Sequence, residues 1–321
     1  MSLAVAITGA GALTGRDFSF IDGLPEAVQA RAVRAERVTQ LVLAAAGKAL
    51  AAAGLDVADG VPRPRLGIVL GTAFGCFLTN AAYERRFLEG GPAAASPRLF
   101  AATVSNAAAG ELAIAYRLGG PLVALSAGAA SGLVALGHAT DLVSSGRADA
   151  LVAGGADALG DDLCGWLAAG GLDTGRPPAE AAAVFVLERG DLARGRAVLG
   201  TIEGVAAGFE PDLAGPRAGD GLAAVVATAL EAAGRAASEV RVVVSAAPPG
   251  LADLEARALA GVASPTVLHP KDALGETFGA AGPLGLLAAL AAAPPGAAVL
   301  VLDVCASGHV AALVARAGEG A

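Results

Sequence analysis

Short runs of apolar residues alternate along the chain with longer alanine-rich stretches, in which apolar positions recur every three or four residues. The short runs lack polar alternation and end at Gly, Pro or charged residues, as strands buried on both faces do. Such strands are predicted at 4–8, 66–70, 122–126, 150–153, 183–188, 240–245 and 298–304. Their alternation with helical stretches predicts an α/β protein with buried parallel strands.

The helical spacing is clear in the stretch at 37–53. Val38, Leu41 and Ala45 fall on one face, and Gly54 follows the last helical position. Further helices are predicted at 106–118, 131–145, 221–233 and 282–293. Loops, rather than linkers between independent domains, are predicted for two segments rich in Gly, Pro and Asp, at 155–178 and 208–220.

A glycine-rich segment, TGAGALTG, follows the first predicted strand at residues 8–15. A dinucleotide site would need these glycines to open a helix whose N-terminus holds a pyrophosphate. Arg16, Asp17 and Phe18 follow instead, without the apolar periodicity of such a helix. The pattern favours a tight structural turn, and no cofactor is predicted.

Composition narrows the class of protein further. With 321 residues, 55% of them hydrophobic and 16% charged, the chain can bury one large core or two fused ones. Its mean hydropathy is +0.62, but Gly, Pro or charge interrupts each apolar run before it reaches membrane-spanning length. A net charge of -8 with 4% aromatic residues provides no basic stripe for nucleic acid. We therefore expect neither a membrane nor a nucleic-acid partner.

The cysteines and the N-terminus indicate an intracellular setting. Cys76, Cys164 and Cys305 are far apart and show no CxxC spacing, so neither a disulfide framework nor a metal site is predicted. The chain passes from Met1 into an apolar strand pattern without a basic leader, and we expect a cytoplasmic protein.

Eight segments carry further motifs, in the order AITGAGALTG, LVLAAAGKALAAAGL, LGIVLGTAFG, SPRLFAATVSNAAAGELAIAYRLGGP, SAGAASGLVALGHATDLVSSGRADALVAGGADAL, AAAVFVLERG, KDALGETFGAAG and VCASGHVAALV. Together they resemble the β-ketoacyl-ACP synthase family, most specifically over residues 96–159. The resemblance implies an α/β, thiolase-like duplicated five-layer αβαβα fold and a dimer whose interface shapes an acyl pocket. Two similar turns, LSAGAASG and VCASG, also indicate duplication. We expect the two ketosynthase-like halves at 1–190 and 191–321, within one compact unit.

The same resemblance identifies the positions that would carry the chemistry. The family's nucleophilic cysteine lies at a helix N-terminus, two residues before a Ser-Gly pair, and Ala129 holds that position in SAGAASG. The family's two histidines fall on Ala247 and Glu276. Lys271 alone remains of the usual polar set. None of the histidines present stands at an expected catalytic position: His138, His269 and His309.

Loss of all three groups also argues against the malonyl-decarboxylating relatives, which keep the histidines. The resemblance therefore implies a non-catalytic chain length factor, which forms a heterodimer with an active β-ketoacyl-ACP synthase. It would set product length in type II polyketide, polyene or fatty-acid-like synthesis. Aromatic-type chain length factors commonly have glutamine where Ala129 stands, which favours a divergent branch. Because the chain is acidic and carrier proteins are acidic, acyl carrier protein is expected to dock mainly on the partner.

The segment TAFGCFLTNAAYERRF matches the part of the family that enters the acyl pocket across the dimer interface. Its pocket and interface candidates are Phe74, Phe77, Asn80, Tyr83 and Glu84. On a helix, Phe77, Asn80 and Glu84 share one face, and Tyr83 lies within one residue of it. An aromatic stripe at this spacing is also typical of an ordinary core.

Two other functions stay open. Cys305, in VCASG, reproduces the nucleophile motif in the second half, and Glu276 has the chemistry of a general base. A divergent acyl-transfer or hydrolytic enzyme is therefore one alternative. Against it, Cys305 is also typical of a small buried hydrophobe, and Glu276 of an ion pair with Lys271. The other alternative is a homodimeric scaffold without any acyl group.

Overall fold

The computed structural model describes residues 4–15, 19–55, 61–170, 175–245, 247, 251–263 and 265–319. The strands are β1 (Val5–Thr14), β2 (Leu66–Gly71), β3 (Leu122–Leu125), β4 (Ala150–Asp157), β5 (Ala181–Arg189), β6 (Gly200–Phe209), β7 (Val240–Val244), β8 (Thr266–Leu268), β9 (Ala298–Val304) and β10 (His309–Ala317). The helices are α1 (Glu26–Ala32), α2 (Arg37–Ala52), α3 (Phe77–Gly90), α4 (Pro97–Phe100), α5 (Ala107–Ala115), α6 (Ser131–Ser144), α7 (Asp161–Ala169), α8 (Asp220–Ala233), α9 (Ala252–Ala258), α10 (Pro270–Leu274) and α11 (Ala281–Ala292).

The strand order repeats between the two halves of the chain. The first five strands follow the order β3-β2-β4-β5-β1, and the last five the matching order β8-β7-β9-β10-β6. In each half the first two pairings are parallel and the last two antiparallel. The halves join where β1 pairs with β6. The repeat confirms the predicted duplication. The prediction of parallel strands is confirmed for β2, β3, β4, β7 and β9, and it is wrong for β1 and β5, which pair only antiparallel. The boundary after residue 190 stays a prediction.

Helices form the layers between and outside the strands. On one outer face α2 packs on β1 and β5, with α5 against α2, and on the other outer face α8 packs on β6 and β10. Between them α6 and α11 contact each other, α6 packs on β2, β4 and β6, and α11 packs on β7, β9 and β4. The result is the five-layer αβαβα architecture, with α6 and α11 in its middle layer.

The turn predicted at 8–15 is wrong, because β1 continues to Thr14. Its glycines allow the close approach of α2. A Cβ built on Gly9 would lie 2.2 Å from Ala49 O, and one on Gly11 would lie 2.0 Å from Ala45 O. These glycines are therefore packing positions for the helix rather than turn positions.

Part of the predicted loop at 155–178 is also regular structure. Strand β4 runs on to Asp157, and α7 follows at Asp161–Ala169. A Cβ on Gly155 would lie 1.9 Å from Gly279 O, so this close backbone contact requires glycine. The same glycine made the segment look like a loop in the sequence. Strands β6, β8 and β10 have no predicted counterpart. In the described part of the chain, no helix combines the length and apolarity needed to cross a membrane.

Candidate functional site

The N-terminus of α6 carries the position at which the resemblance places the nucleophile. Strand β3 ends at Leu125, and a short turn leads to Ser131, the first residue of the helix. Gly128 has a φ of +58° within this turn, a conformation that glycine adopts without a steric penalty. The Ser131 hydroxyl accepts the Ala127 N–H at 2.8 Å and fixes the turn. Ala129 is buried here and presents only a methyl group.

Cys305, from the second half, lies directly against this turn. It follows the last residue of β9, as the sequence predicts. Its Sγ accepts a hydrogen bond from the backbone N–H of Ala129 at 3.4 Å. A Cβ built on Gly128 would lie 2.4 Å from the same sulfur. The thiol therefore lies at the N-terminal end of α6, beside the alanine at which the resemblance places the family's cysteine.

Ser307 and His309 extend this contact towards solvent. The Ser307 hydroxyl donates to Cys305 Sγ at 3.1 Å, and its oxygen lies 3.0 Å from His309 Nδ1. Cys305 is half-buried, whereas Ser307 and His309 are exposed. The His309 ring packs edge to face on Phe209, with 5.7 Å between ring centroids. Thiol, hydroxyl and imidazole thus form one connected group, the Cys305 cluster.

Glu276 is buried in an ion pair. Lys271 Nζ lies 2.9 Å from Glu276 Oε2, and the backbone N–H of Phe278 donates to Glu276 Oε1 at 2.9 Å. Both side chains are almost fully shielded from solvent. This is the ion-pair arrangement that the sequence analysis weighed against a general base.

Asp303 shares the same lysine from the adjoining strand. It lies on β9, is fully buried, and its Oδ1 is 3.8 Å from Lys271 Nζ. Neither carboxyl oxygen makes a hydrogen bond of normal geometry within the described residues. Burial raises the pKa of Asp303 to about 7, since the opposing attraction of Lys271 is smaller and the carboxylates of Glu276 and Glu255 add to the rise. One lysine therefore faces more than one buried carboxyl group.

Ala247 lies beyond β7, next to residues 246 and 248–250 of its motif, which lie outside the described residues. Its N–H donates to Glu255 Oε1 at 2.8 Å, and its carbonyl accepts from Arg176 at 3.2 Å. Arg176 also pairs with Asp272 at 2.7 Å, on the helix that carries Lys271. These contacts connect Ala247 to the helix that carries Lys271, and the side chain of Ala247 is a methyl group without hydrogen-bonding atoms.

Phe74 and Phe77 pack in an aromatic group close to Glu276. The Phe74 ring meets Phe278 edge to face at 4.8 Å, and the Phe77 ring lies 5.9 Å from that of Trp166. Phe278 is two residues after Glu276, so the aromatic group adjoins the buried ion pair. Trp166 is half exposed and escaped the sequence analysis because α7 lies in a predicted loop.

The other three pocket candidates, on α3, lie outside this aromatic group. The Asn80 amide donates to Cys76 Sγ at 3.5 Å, and the Tyr83 ring lies 5.8 Å from that of Phe100. Glu84 is exposed. Helix α3 provides the predicted helical spacing for these residues, while Phe74 precedes its first residue.

Asp157 holds the aromatic group in place, a role that the sequence analysis missed. This buried carboxyl group accepts the Thr72 hydroxyl at 2.7 Å and the backbone N–H groups of Ala73, Phe74 and Gly279 at 2.9, 3.0 and 2.8 Å. Burial raises the pKa of Asp157, against the effect of these donors. An aspartate at the end of a small-residue strand was the available signal.

The chain was compared with protein-family models, with curated proteins and with solved structures. The β-ketoacyl synthase N-terminal domain matches residues 4–181. No curated protein matches the chain. Among solved structures, the ishigamide ketosynthase/chain length factor is 24% identical with a TM-score of 0.81, over 98% of this chain and 99% of that one.

Two further structures show the same fold. The AntDE:AntF complex, a type II polyketide synthase acyl-carrier protein with its ketosynthase bound to the hexaketide, is 21% identical with a TM-score of 0.81, over 99% of this chain and 100% of that one. A β-ketoacyl synthase from Burkholderia phymatum STM815 is 19% identical with a TM-score of 0.80, over 99% and 100%. At these identities the similarity establishes the thiolase-like fold.

Proposed function

Because the chain belongs to the β-ketoacyl synthase family, we propose that it is a ketosynthase-like subunit of the chain length factor type. It performs no condensation itself and forms a heterodimer with an active β-ketoacyl-ACP synthase. The pair makes a polyketide, polyene or fatty-acid-like chain in a type II system. One observation carries this proposal: the N-terminus of α6 presents the methyl group of Ala129 where condensation requires a thiol.

The chemistry of condensation supports this assignment. An alanine methyl group cannot be acylated, and Ala247 has no imidazole to stabilise the developing enolate or oxyanion. Glu276 is engaged by Lys271 at 2.9 Å, and its carboxylate would repel the same negative charge. Both halves of the reaction, acylation at position 129 and decarboxylation, therefore lack their groups.

The control of product length is assigned to the segment from Phe74 to Glu84. Phe74 and Phe77 contact an apolar group with Trp166 and Phe278. Asp157 fixes the backbone of Phe74 by a hydrogen bond of 3.0 Å. In this proposal these rings limit the acyl chain that grows from the partner's site, and Asn80, Tyr83 and Glu84 lie towards the partner.

Acyl carrier protein is assigned mainly to the partner subunit. The net charge of -8 gives an acidic carrier little electrostatic attraction to this chain. Charge reversal on each subunit tests this point, and a greater loss of carrier binding from changes on this chain would contradict it.

The decisive experiment is co-expression with an active ketosynthase of a type II system from the same organism. We expect the two to co-purify and the Phe74→Ala variant to lengthen the products, measured by liquid chromatography and mass spectrometry. Leu192→Ala, at an exposed site after the end of β5, is the matched control. A chain that neither co-purifies nor changes product length would refute the subunit proposal, and a stable homodimer indifferent to ketosynthase would favour the scaffold.

A further inference from the structure

We propose that the Cys305 cluster is a second thiol site, which takes an acyl group from a thioester by transthioesterification. This activity goes beyond the proposed subunit function, because it needs neither a partner nor the missing histidines. The site is assembled from both halves of the fold: the nucleophile comes from the end of β9 and the helix N-terminus from α6.

The surroundings of the sulfur suit a nucleophile. The backbone N–H of Ala129 points at Cys305 Sγ from 3.4 Å, at the start of a 14-residue helix. Donor N–H groups and the positive end of a helix stabilise negative charge on sulfur. The side chain of Ala129 is only a methyl group, so no larger side chain stands beside the sulfur. Cys305 of the second half thus lies next to the position where the family has its nucleophilic thiol.

A base lies within reach through one hydroxyl group. Ser307 Oγ is 3.1 Å from Cys305 Sγ and 3.0 Å from His309 Nδ1. A base in hydrogen-bond reach of a nucleophile activates thiols and hydroxyls in covalent catalysis, and here the Ser307 hydroxyl bridges the two groups. Ser307 and His309 are exposed, so a thioester in solution can approach the cluster.

The reaction is a simple exchange of acyl groups. A bond forms between Cys305 Sγ and the carbonyl carbon, and the bond from that carbon to the departing sulfur breaks. The Ser307 hydroxyl first turns from Cys305 Sγ to donate to His309 Nδ1. The Cys305 proton then passes to Ser307 Oγ as the Ser307 proton passes to His309. His309 delivers a proton to the departing thiolate, which leaves as a free thiol. Nothing is oxidised or reduced, and no carbanion forms. The absence of imidazoles at Ala247 and Glu276 is therefore no obstacle.

The other two cysteines provide matched controls. Cys76 is buried at the start of α3, where burial raises the pKa of its thiol above the ordinary value. Cys164 is half-buried in α7, like Cys305 in exposure, and packs in an apolar cluster. If exposure alone governed acylation, Cys164 and Cys305 would react alike.

The test uses the purified full chain without any ketosynthase, incubated with the hexanoyl thioester of N-acetylcysteamine. We expect intact-mass measurement to show one added hexanoyl group, peptide mapping to place it on Cys305, and neutral hydroxylamine to remove it. Cys305→Ser abolishes the adduct, whereas Cys76→Ser and Cys164→Ser retain it. An unmodified chain, or equal modification of Cys164 and Cys305, would overturn the proposal.

His309 acts through Ser307, so its role is tested by a measurement that loss of a merely structural contact would not change: the pH dependence of the acylation rate. We expect His309→Gln to slow acylation roughly tenfold or more and to change the shape of its pH profile. Ser307→Ala should slow it likewise and Ser307→Thr restore it. Unchanged rates and profiles in these variants, with thermal unfolding like that of the wild type, would remove the relay. Co-purification with a ketosynthase is measured separately, so either proposal can fail alone.

Discussion

At the scale of single residues, Ala129 and Asp303 offer the sharpest tests of the proposed function and of the buried charges. The Ala129 N–H is directed at Cys305 Sγ, and Gly128 in the same turn has a φ of +58°. Asp303 stands fully buried beside a lysine that already pairs with Glu276. Substitution of Ala129 tests whether a thiol alone would allow condensation. Substitution of Asp303 tests how burial affects the charge of the carboxyl groups around Lys271.

Introducing a thiol at position 129 is expected to restore reactivity without restoring condensation. In a Cys305→Ser background, Ala129→Cys should react with iodoacetamide, because the N-terminus of α6 favours the thiolate. The same chain, in complex with a partner whose nucleophile is removed, should give no elongation product in a radiolabelled malonyl assay. Elongation by that complex would show catalytic groups beyond those identified and contradict the non-catalytic assignment.

Asp303 is expected to make stability depend on pH. Burial raises its pKa from 3.8 to about 7, so between these values the folded chain holds a proton that the unfolded chain has released. The free energy of unfolding should therefore fall as the pH rises from about 4 to about 7, by a few kcal/mol in all. Asp303→Asn should make this fall smaller but not abolish it, because burial also raises the pKa of Asp157; urea unfolding at several pH values measures the difference. Asp141→Asn, at an exposed carboxyl, is the control and should keep the wild-type slope.

At the scale of elements, the contact between β1 and α2 depends on two glycines. Gly9 and Gly11 face the backbone carbonyls of Ala49 and Ala45 at distances that exclude a Cβ. The same device recurs at Gly155, which faces Gly279 O. At these positions another backbone approaches the strand so closely that only glycine fits.

Gly11→Ala is expected to push α2 away from β1 and to lower the free energy of unfolding by about 1–3 kcal/mol, the usual cost of overpacking. The helix carbonyl it meets belongs to a packed backbone and has little freedom to move. Gly110→Ala in α5 is the matched control, because a Cβ there meets nothing within 4 Å. It should change stability by about 1 kcal/mol at most, in the stabilising direction. Similar effects of the two substitutions in urea unfolding would refute the packing role of Gly11.

At the scale of the whole molecule, one apolar core spans both halves. Leu133 and Phe185 of the first half share it with Leu286, Val301 and Leu313 of the second. Helix α6 also packs on β6, and α11 on β4. Each half therefore exposes a large apolar face when the other is absent.

Residues 1–190 alone are accordingly expected not to fold. We expect them to be insoluble or to lack dispersed amide signals in NMR, and co-expression with residues 191–321 to restore a soluble pair. The intact chain should unfold in a single cooperative transition. A well-dispersed spectrum from residues 1–190 alone would contradict the idea of one compact unit.

The sequence by itself determined the elements with strong local periodicity and the family. Apolar spacing over one face predicted α2 and α6 nearly to their observed ends, because helical periodicity is a local property. Glycines in β1 and β4 led to the prediction of a turn and a loop. Each glycine is needed because a backbone distant in sequence lies against it, which the local sequence does not show. Strand β6 was missed because its Gly, Ala and Glu residues form no apolar run.

Only the tertiary structure decided what stands next to Ala129. Cys305 is 176 positions away in sequence, and the similarity of the two turns does not show that they are in contact. The contact exists because β9 of the second half ends at the N-terminus of α6, which follows from the packing of α6 and α11 in one middle layer. Likewise, Lys271 and Glu276 are near neighbours in sequence, but their burial beside Asp303 depends on the packing of α10 near β9. Long-range packing sets burial and distance, and these govern the chemistry of the site.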